Sequence, residues 1–232
     1  MNDNKYKLAI FDLDGTLLDT LSDLAGAVNF SLKAHGCPER SVEEIRAFIS
    51  NGVRKLIERS LFITLDSKDT NDYEVRDRGL FDAVFADFVQ YYLDHVSDNT
   101  VPYSEMPGLI ARLKEAGMRT AVVTNKREDA ATALMNHFYP DGFDMVIGDG
   151  PDRERKPSPA SLLLVMDSLG ISKVDTVYIG DSDVDLKTAQ NAQVEAILVT
   201  WGYRNTESLI AAGAQIIVDR PDELETMLMI NK

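Results

Sequence analysis

The sequence predicts an α/β protein, in which helices cover both faces of a parallel sheet and an all-helical segment is inserted after the first strand. Three observations indicate this fold class. A short apolar strand, Leu8-Ala9-Ile10-Phe11, lies near the start of the 232-residue chain. A stretch of roughly 80 residues with helical spacing follows it. From Pro107 onward, short strands that are apolar throughout alternate with helices, which is typical of a parallel sheet buried on both faces.

The inserted segment shows the apolar spacing of helices and no strong strand pattern. Its apolar positions form three groups, which are Leu21, Leu24, Ala25, Val28 and Leu32, then Val53, Leu56, Ile57 and Leu61, then Phe81, Val84, Phe85, Phe88, Tyr92 and Leu93. Prolines at Pro102 and Pro107 mark the return from the insert. We therefore predict a core from residues 1–18 and 102–232 and a helical domain from residues 19–101.

The rest of the core alternates strand and helix. The predicted strands are residues 120–123, 145–147, 176–179, 197–199 and 216–218. Gly117 and Gly170 mark the ends of two of the intervening helices. This order of elements gives one sheet, built from the first strand and those that follow the insert.

The composition excludes some classes of function. Lys and Arg number 24 against 38 Asp and Glu, and the resulting net charge of −14 argues against a protein that binds nucleic acid by charge. Cys37, the single cysteine, cannot form an internal disulfide, which favours a reducing cytoplasm. The polar start and the lack of any apolar run near 20 residues predict no signal peptide and no membrane span. We expect a cytoplasmic monomer or homodimer that acts on a small molecule.

Two carboxylates, Asp12 and Asp14, follow the first strand directly. Side chains alternate along an extended segment, so both point the same way, and two like charges are costly unless a cation or proton lies between them. Mg²⁺ prefers carboxylate oxygens and keeps water positions that a phosphate can take. One aspartate would then be a nucleophile and the other a general acid/base. The alternative is a simple Asp/Gly turn that includes Gly15.

Polar residues also follow two later segments, and ligands gather at the carboxyl ends of strands in such a sheet. Thr124 and Asn125 offer a hydroxyl and an amide to phosphate oxygens, or else cap the next helix. Lys156 precedes Pro157 at a helix start, where a cation is unfavourable for the helix. This misfit indicates another partner for Lys156, and the alternative is a solvated lysine.

The segment Gly180-Asp181-Ser182-Asp183-Val184-Asp185 follows another predicted strand and carries three carboxylates. A calcium loop is one alternative, but its sixth and twelfth positions would be Leu186 and Ala192 rather than Gly and Glu. An acidic helix N-terminus is another alternative.

Each aspartate of this acidic segment has its own expected role. Asp181 is expected to complete the metal site. Asp185 is expected to hold metal-bound water or Lys156, and Asp183 to cap the helix or to be solvated.

Together these groups resemble the motifs of the haloacid dehalogenase superfamily of phosphatases. The first motif, DxDGT, is Asp12-Leu13-Asp14-Gly15-Thr16; the second ends a strand at Thr124; the third is Lys156; the fourth, GDSxxD, begins at Gly180. The four motifs follow one another in the order found in this superfamily, and together they span nearly the whole chain. The resemblance implies a Rossmann-like core with an inserted helical cap domain, whose motion would admit substrate and then exclude water.

The resemblance also implies the chemistry. Asp12 would attack phosphorus and form an aspartyl-phosphate, while Asp14 would protonate the leaving alcohol and then deprotonate water. Mg²⁺ would be held by Asp12, the backbone carbonyl of Asp14 and Asp181.

The phosphate oxygens have their own implied ligands. Thr124, the Asn125 backbone and Lys156 would bind them as charge redistributes in the transition state. Ser182 and Asp185 would support these residues and would not contact the substrate themselves. The substrate is therefore expected to be a small phosphorylated metabolite.

Three stretches resemble the phosphoglycolate phosphatase group of this superfamily, namely Ile49-Ser50-Asn51-Gly52-Val53-Arg54-Lys55-Leu56-Ile57, Val122-Val123-Thr124-Asn125-Lys126 and Thr200-Trp201-Gly202-Tyr203. The substrate implied is 2-phosphoglycolate. Gly52 at a helix start, with Arg54 or Lys55 beside it, would receive the substrate carboxylate. A solvated helix face is the alternative for the two cations. Trp201 and Tyr203 are expected to pack near the site rather than to contact it.

Two further functions stay open. The first is a sugar-phosphate phosphatase, pyrophosphatase or phosphomutase with the same core. The second is a receiver-type signalling module, which also uses Asp, Thr, Lys and Mg²⁺ on a parallel sheet. Asp14 favours an enzyme, because a general acid speeds the turnover that a switch must keep slow.

Overall fold

The structure is a computed structural model that describes residues 5–49, 52–62 and 78–229. In chain order its elements are β1 (Leu8–Phe11), β2 (Leu18–Asp19), α1 (Leu21–Ala34), α2 (Val42–Phe48), α3 (Val53–Phe62), α4 (Arg78–Asp94), β3 (Val101–Pro102), α5 (Met106–Glu115), β4 (Arg119–Arg127), α6 (Glu128–Phe138), β5 (Met145–Asp149), α7 (Ala160–Leu169), β6 (Thr176–Gly180), α8 (Asp183–Ala192), β7 (Glu195–Val199), α9 (Thr206–Ala211), β8 (Ile217–Val218) and α10 (Pro221–Met229). No helix in these ranges is long and apolar enough to cross a membrane.

A six-stranded sheet with the order β5-β4-β1-β6-β7-β8 forms the centre of the core, and all its paired strands are parallel. β1 lies between β4 and β6, with Phe11 opposite Val122 on one side and Ile179 on the other. Every residue of β1 and β6 is buried beneath the flanking helices. The predicted α/β fold is confirmed. Because parallel strands end at the same edge, the residues that follow β1, β4 and β6 lie together.

β4 is longer than the sequence predicted. It extends beyond residue 123 to Arg127, and its pairing with β5 changes register between Val123 and Arg127. Helix α6 begins only at Glu128, so the alternative in which Thr124 or Asn125 caps that helix is wrong. The predicted strand ended at residue 123 because the residues after it are polar, and polar residues are rare inside a buried parallel strand.

A second, two-stranded sheet was not predicted. β2 pairs with β3 in antiparallel fashion, with Leu18 opposite Pro102 and Asp19 opposite Val101. These strands are too short to show the alternation that identifies a strand in a sequence. They lie directly before and after the helical segment in the chain.

The chain divides into two compact units, of which one comprises Met1–Asp19 and Val101–Lys232 and the other Thr20–Thr100. The second unit contains α1 to α4. Within it, buried Asp23 at the start of α1 accepts hydrogen bonds from the backbone N–H groups of Asn99 and Thr100, at 2.9 and 2.8 Å. This carboxylate therefore joins the two ends of the helical unit.

Candidate active site

Asp12 is held inside the core at the end of β1. Its backbone N–H donates to the Ile179 carbonyl at 2.8 Å, which continues the β1–β6 pairing beyond β1. Its Oδ1 lies 2.8 Å from Nζ of Lys156. Burial raises the pKa of Asp12 to about 7, against the opposing effect of the lysine charge. The charged form of Asp12 is therefore unfavourable in this site unless a further cation balances its charge.

Asp181 and Asp185 complete a cluster of three buried carboxylates with Asp12. Each residue offers an oxygen, and these oxygens all lie within 4.8 Å of one another. Burial raises the pKa of Asp181 well above its ordinary value, and the charges of Asp185 and Asp12 add to the rise. Like charges this close need a proton or a cation between them, and oxygen donors suit a hard divalent ion. The cluster therefore fits a bound metal.

Glycines allow the backbone to approach this acid cluster. A β-carbon at Gly15 or at Gly202 would collide with the carboxylate of Asp181, and one at Gly180 would collide with Asp185. Gly15 also has a positive φ of 85°, which side chains rarely adopt. The close packing around Asp181 thus depends on residues without side chains.

The segment after β7 contributes hydrogen bonds that the sequence did not reveal. The backbone N–H of Tyr203 donates to Asp181 Oδ2 at 2.7 Å. The indole Nε1 of Trp201 donates to the Thr16 carbonyl at 3.1 Å. The prediction gave both aromatic residues packing roles only. A backbone donor leaves no trace in a sequence, because every residue except proline has one.

Lys156 is enclosed by charged and polar partners. Besides Asp12, its Nζ lies 2.7 Å from Asp185 Oδ1 and donates to the Tyr178 hydroxyl at 3.0 Å. Burial alone lowers the pKa of Lys156, but the charges of Asp12 and Asp185 outweigh it and raise that pKa above its usual value. The ammonium stays charged, and the alternative of a solvated lysine is wrong.

Asn125 fixes the backbone of Lys156. Its Nδ2 donates to the Lys156 carbonyl at 3.1 Å, and its Oδ1 accepts from the Lys156 N–H at 2.8 Å. The side-chain amide thus positions the lysine loop, contrary to the expectation that it holds phosphate oxygens. A phosphate contact through the Asn125 backbone stays a prediction.

Asp185 and Ser182 form a capping box at the start of α8. The Ser182 hydroxyl accepts from the Asp185 N–H, and the Ser182 N–H donates to Asp185 Oδ2 at 3.1 Å. Asp185 is fully buried, whereas the side chain of Asp183 is 62% exposed. The three aspartates of this segment do not converge, so the calcium-loop alternative is wrong.

Tyr178 on β6 is a member of this site that sequence reasoning missed. Its hydroxyl accepts from Lys156 and lies 3.0 Å from Asp185 Oδ1 and 3.1 Å from the Val123 carbonyl. Burial raises the pKa of this phenol well above its usual value. The apolar pattern of β6 conceals this role, although a buried tyrosine needs a partner for its hydroxyl.

Lys126 is the second missed residue. It lies two positions after Thr124 on β4, and its N–H donates to the Thr124 hydroxyl at 3.2 Å. Its Nζ donates to Asp14 Oδ1 at 2.9 Å, and its side chain is only 1% exposed. A lysine inside a buried strand was the available sequence indication, because lysine is almost never buried without a partner.

The residues predicted to receive a substrate carboxylate belong to the helical unit. Gly52 has a φ of 81°. The Arg54 guanidinium lies 4.8 and 5.0 Å from the ring centres of Phe81 and Phe85. Exposed Lys55 forms an ion pair of 2.7 Å with Glu58. Ser50 and Asn51, in the same predicted stretch, lie outside the described residues.

The sequence profile of the haloacid dehalogenase-like hydrolases matches residues 9–199, which is most of the chain. The chain belongs to the haloacid dehalogenase-like hydrolase family. The predicted family and the predicted hydrolase class are therefore confirmed. Each motif that carried the resemblance lies within the matched range.

Relatives within the haloacid dehalogenase-like hydrolases carry phosphatase names. A phosphoglycolate phosphatase of Neisseria meningitidis is 35% identical over 91% of this chain and 86% of its own length. An N-acetylmuramic acid 6-phosphate phosphatase of Pseudomonas aeruginosa is 30% identical, over 97% and 95%. A crystal structure of a candidate phosphoglycolate phosphatase from Lactobacillus delbrueckii has a TM-score of 0.90 and 34% identity, over 97% and 99% of the two chains. The predicted likeness to the phosphoglycolate phosphatase group is confirmed.

Proposed function

We propose that this chain is a Mg²⁺-dependent phosphatase that hydrolyses small phosphate monoesters through an aspartyl-phosphate, with 2-phosphoglycolate as its preferred substrate. The observation that carries the proposal is the position of the Asp12 carboxylate, between buried Lys156 and two further buried aspartates. A nucleophile, a fixed cation and a metal site together meet the needs of phosphoryl transfer. The name of the Neisseria meningitidis relative supports the substrate.

The reaction has two steps that use the two aspartates of the first motif. A carboxylate oxygen of Asp12 attacks phosphorus, the bond from phosphorus to the ester oxygen breaks, and the leaving alcohol takes a proton from Asp14. Asp14 then takes a proton from water while the water oxygen attacks phosphorus. The bond from phosphorus to Asp12 breaks, inorganic phosphate leaves, and both aspartates return to their starting states.

The proposed metal ligands are Asp12, Asp181 and the backbone carbonyl of Asp14. When bound, Mg²⁺ supplies charge neutralisation for the nucleophile and the phosphate. The choice of Mg²⁺ is supported by a donor set made of oxygens alone. We assign Asp185 a supporting role, because both its oxygens already accept hydrogen bonds within the protein.

Replacing Gly202 with alanine is expected to weaken metal binding. The added β-carbon would meet Asp181 and force its carboxylate away from the position that the Tyr203 N–H fixes. Loss of such orientation costs about 10- to 100-fold in metal affinity. Calorimetric titration with MgCl₂ measures the effect. Gly26→Ala is the matched control, since a β-carbon at Gly26 meets nothing within 4 Å. Equal Mg²⁺ affinity in the two variants would contradict the prediction.

The proposed phosphate ligands are the Thr124 hydroxyl, the Asn125 N–H and the Lys156 ammonium. Lys156 already lies 2.8 Å from the attacking carboxylate. Its ammonium can therefore stabilise negative charge as that charge moves from Asp12 to the phosphoryl oxygens. Asp185 Oδ1 also contacts this ammonium, at 2.7 Å. Local cations thus explain how a chain with a net charge of −14 would bind an anion.

We propose that the helical unit, Thr20–Thr100, is the cap domain and contributes to substrate choice through Gly52, Arg54 and Lys55. The four helices in its described residues and its insertion directly after the first motif support this assignment. Arg54 and Lys55 already have local partners, so a substrate would compete with aromatic rings and with Glu58 for them.

A sugar-phosphate phosphatase is the second candidate function. The Pseudomonas aeruginosa relative, named for an N-acetylmuramic acid 6-phosphate substrate, favours it at 30% identity. The relatives reported above are all phosphatases by name, which favours hydrolysis over the mutase, pyrophosphatase and receiver alternatives.

A panel of phosphate esters tests the proposed function. Phosphate release should require Mg²⁺, and kcat/KM should be highest for 2-phosphoglycolate and lower for sugar phosphates and p-nitrophenyl phosphate. A higher value for sugar phosphates would transfer the assignment to the second candidate. Failure to release phosphate from any ester in the presence of Mg²⁺ would refute the phosphatase itself.

Asp14→Asn is expected to lower kcat by about 10² to 10⁴, because asparagine cannot donate a proton to the leaving alcohol. The fold and the Mg²⁺ affinity should change little, since the proposed metal contact uses the backbone carbonyl. Steady-state kinetics and a MgCl₂ titration measure both effects. Asp183→Asn removes an exposed aspartate and should retain full activity. Full activity of Asp14→Asn would rule out its role as the general acid.

A further inference from the structure

Lys126 places a buried cation beside the residue that serves the leaving group. Its Nζ donates to Asp14 Oδ1 at 2.9 Å, and its side chain is 1% exposed while that of Asp14 is 16% exposed. A buried ammonium is costly, and its attraction for a nearby anion is correspondingly stronger than in water. This charge therefore acts at the carboxylate of Asp14 and in the space next to it.

The two buried lysines serve different parts of the site. Lys156 contacts Asp12 at 2.8 Å and Asp185 at 2.7 Å, which places its charge at the nucleophile. Lys126 contacts Asp14, which places its charge where the alcohol departs. Phosphate oxygens approach the nucleophile, so a cation on the leaving-group side is suited to a second anionic group of the substrate.

The chemistry of the proposed substrate supplies such a group. In 2-phosphoglycolate the ester oxygen and the carboxylate are attached to the same carbon. When Asp14 donates to that ester oxygen, the substrate carboxylate comes close to whatever cation binds Asp14. A charged hydrogen bond from lysine to this carboxylate would distinguish the acid from a neutral ester of the same size.

We propose that Lys126 is the specificity-determining residue for substrates that carry a carboxylate on the carbon next to the phosphate ester oxygen. The proposal rests on the proposed function and names the substrate class of the same site, which is phosphorylated small hydroxy acids. It assigns the main contact with this carboxylate to the core strand β4 and leaves Arg54 and Lys55 of the helical unit a lesser part in substrate choice.

The test compares 2-phosphoglycolate with 2-hydroxyethyl phosphate, in which a hydroxymethyl group replaces the carboxylate. The readout is the ratio of the two kcat/KM values, which cancels any common effect of the variant on Asp14. In Lys126→Met this ratio should fall about 10- to 100-fold from that of the unaltered protein, as expected for one charged hydrogen bond. Lys126→Arg, which keeps the charge, should retain most of the preference, and Lys33→Met, which removes an exposed lysine, should leave it unchanged.

Several outcomes would overturn the proposal. Equal loss on both substrates in Lys126→Met would show that Lys126 only positions Asp14. A larger fall of the ratio in Arg54→Ala than in Lys126→Met would return carboxylate recognition to the helical unit. A ratio near one in the unaltered protein would refute carboxylate selection while the phosphatase still stands.

A binding measurement tests the proposal where a variant hydrolyses neither substrate. Calorimetry on the inactive Asp12→Asn protein compares its affinities for the two compounds, with and without Lys126→Met. Loss of the preference for 2-phosphoglycolate on adding Lys126→Met supports the proposal, and an unchanged preference overturns it. If Lys126→Met fails to fold by circular dichroism, Lys126→Gln takes its place in both experiments. Absence of phosphatase activity combined with a lysine-dependent binding preference would refute the proposed function alone.

Discussion

Replacing Asp12 with asparagine is expected to abolish phosphate release and to raise the melting temperature of the metal-free protein at pH 8. The activity falls because asparagine cannot form the aspartyl-phosphate, a loss of about 10⁴-fold or more. The stability rises because burial raises the pKa of Asp12 to about 7, so its charge is unfavourable in the folded state. Asparagine carries no such charge.

The sign of the pH effect follows from the raised pKa of Asp12. The folded protein holds this proton more tightly than the unfolded chain, so the penalty is absent below about pH 4 and complete above about pH 7. The free energy of unfolding of Asp12→Asn should therefore exceed that of the unaltered protein by an amount that grows across this interval. The difference should reach about 2 to 4 kcal/mol, or roughly 5 to 10 °C in melting temperature. Thermal melts at pH 4, 6 and 8 in the presence of a chelator measure it.

Magnesium supplies the control for this interpretation. Adding Mg²⁺ should raise the melting temperature of the unaltered protein more than that of Asp12→Asn, because the variant lacks a proposed ligand. Asp183→Asn removes an exposed carboxylate and should behave like the unaltered protein. Activity of Asp12→Asn within tenfold of the unaltered protein would exclude Asp12 as the nucleophile.

Lys156→Met is expected to cause the largest loss of stability together with loss of activity. The substitution leaves Asp12 and Asp185 without the ammonium that lies 2.8 and 2.7 Å away. Removal of one partner from a buried ion pair costs about 3 to 5 kcal/mol, which corresponds to a fall of about 10 °C in the melting temperature. Without the lysine charge the pKa of Asp12 rises further, so the loss should be larger at pH 8 than at pH 5.

Lys187→Met is the matched control for Lys156→Met. Lys187 lies on α8 and is exposed, so its replacement should change neither the melting temperature nor kcat/KM appreciably. Circular dichroism melts and phosphate release report on the two properties separately. A Lys156→Met protein as stable as the unaltered protein at pH 8 would refute the proposed compensation of charge in the cluster.

Local sequence patterns predicted the fold well where a few adjacent residues carry the information. The apolar strand before Asp12, the alternation after Pro107 and the helix stops at Gly117 and Gly170 all depend on near neighbours in the chain. The polar end of β4 and the pair formed by β2 and β3 escaped prediction. Their formation depends on hydrogen bonds to distant strands rather than on their own apolar patterns.

The candidate site shows the same division. Asp12, Asp14, Lys156 and Asp181 were predicted from the sequence, because the aspartates follow apolar strands and Lys156 precedes Pro157 at a predicted helix start. The contact between Lys126 and Asp14 joins residues that are 112 positions apart, and the register of the β1–β4 pairing creates it. No local pattern encodes such a contact.

The sequence by itself determined the family, the order of strands and helices along the chain, and the residue types that phosphoryl transfer needs. Only the tertiary structure decided which of those residues meet and what surrounds them. It gave Lys156 two carboxylates, placed the Tyr203 N–H on Asp181, and set Lys126 beside Asp14. The physical reason is that parallel strands bring distant segments to one edge of the sheet, where burial strengthens every charge interaction.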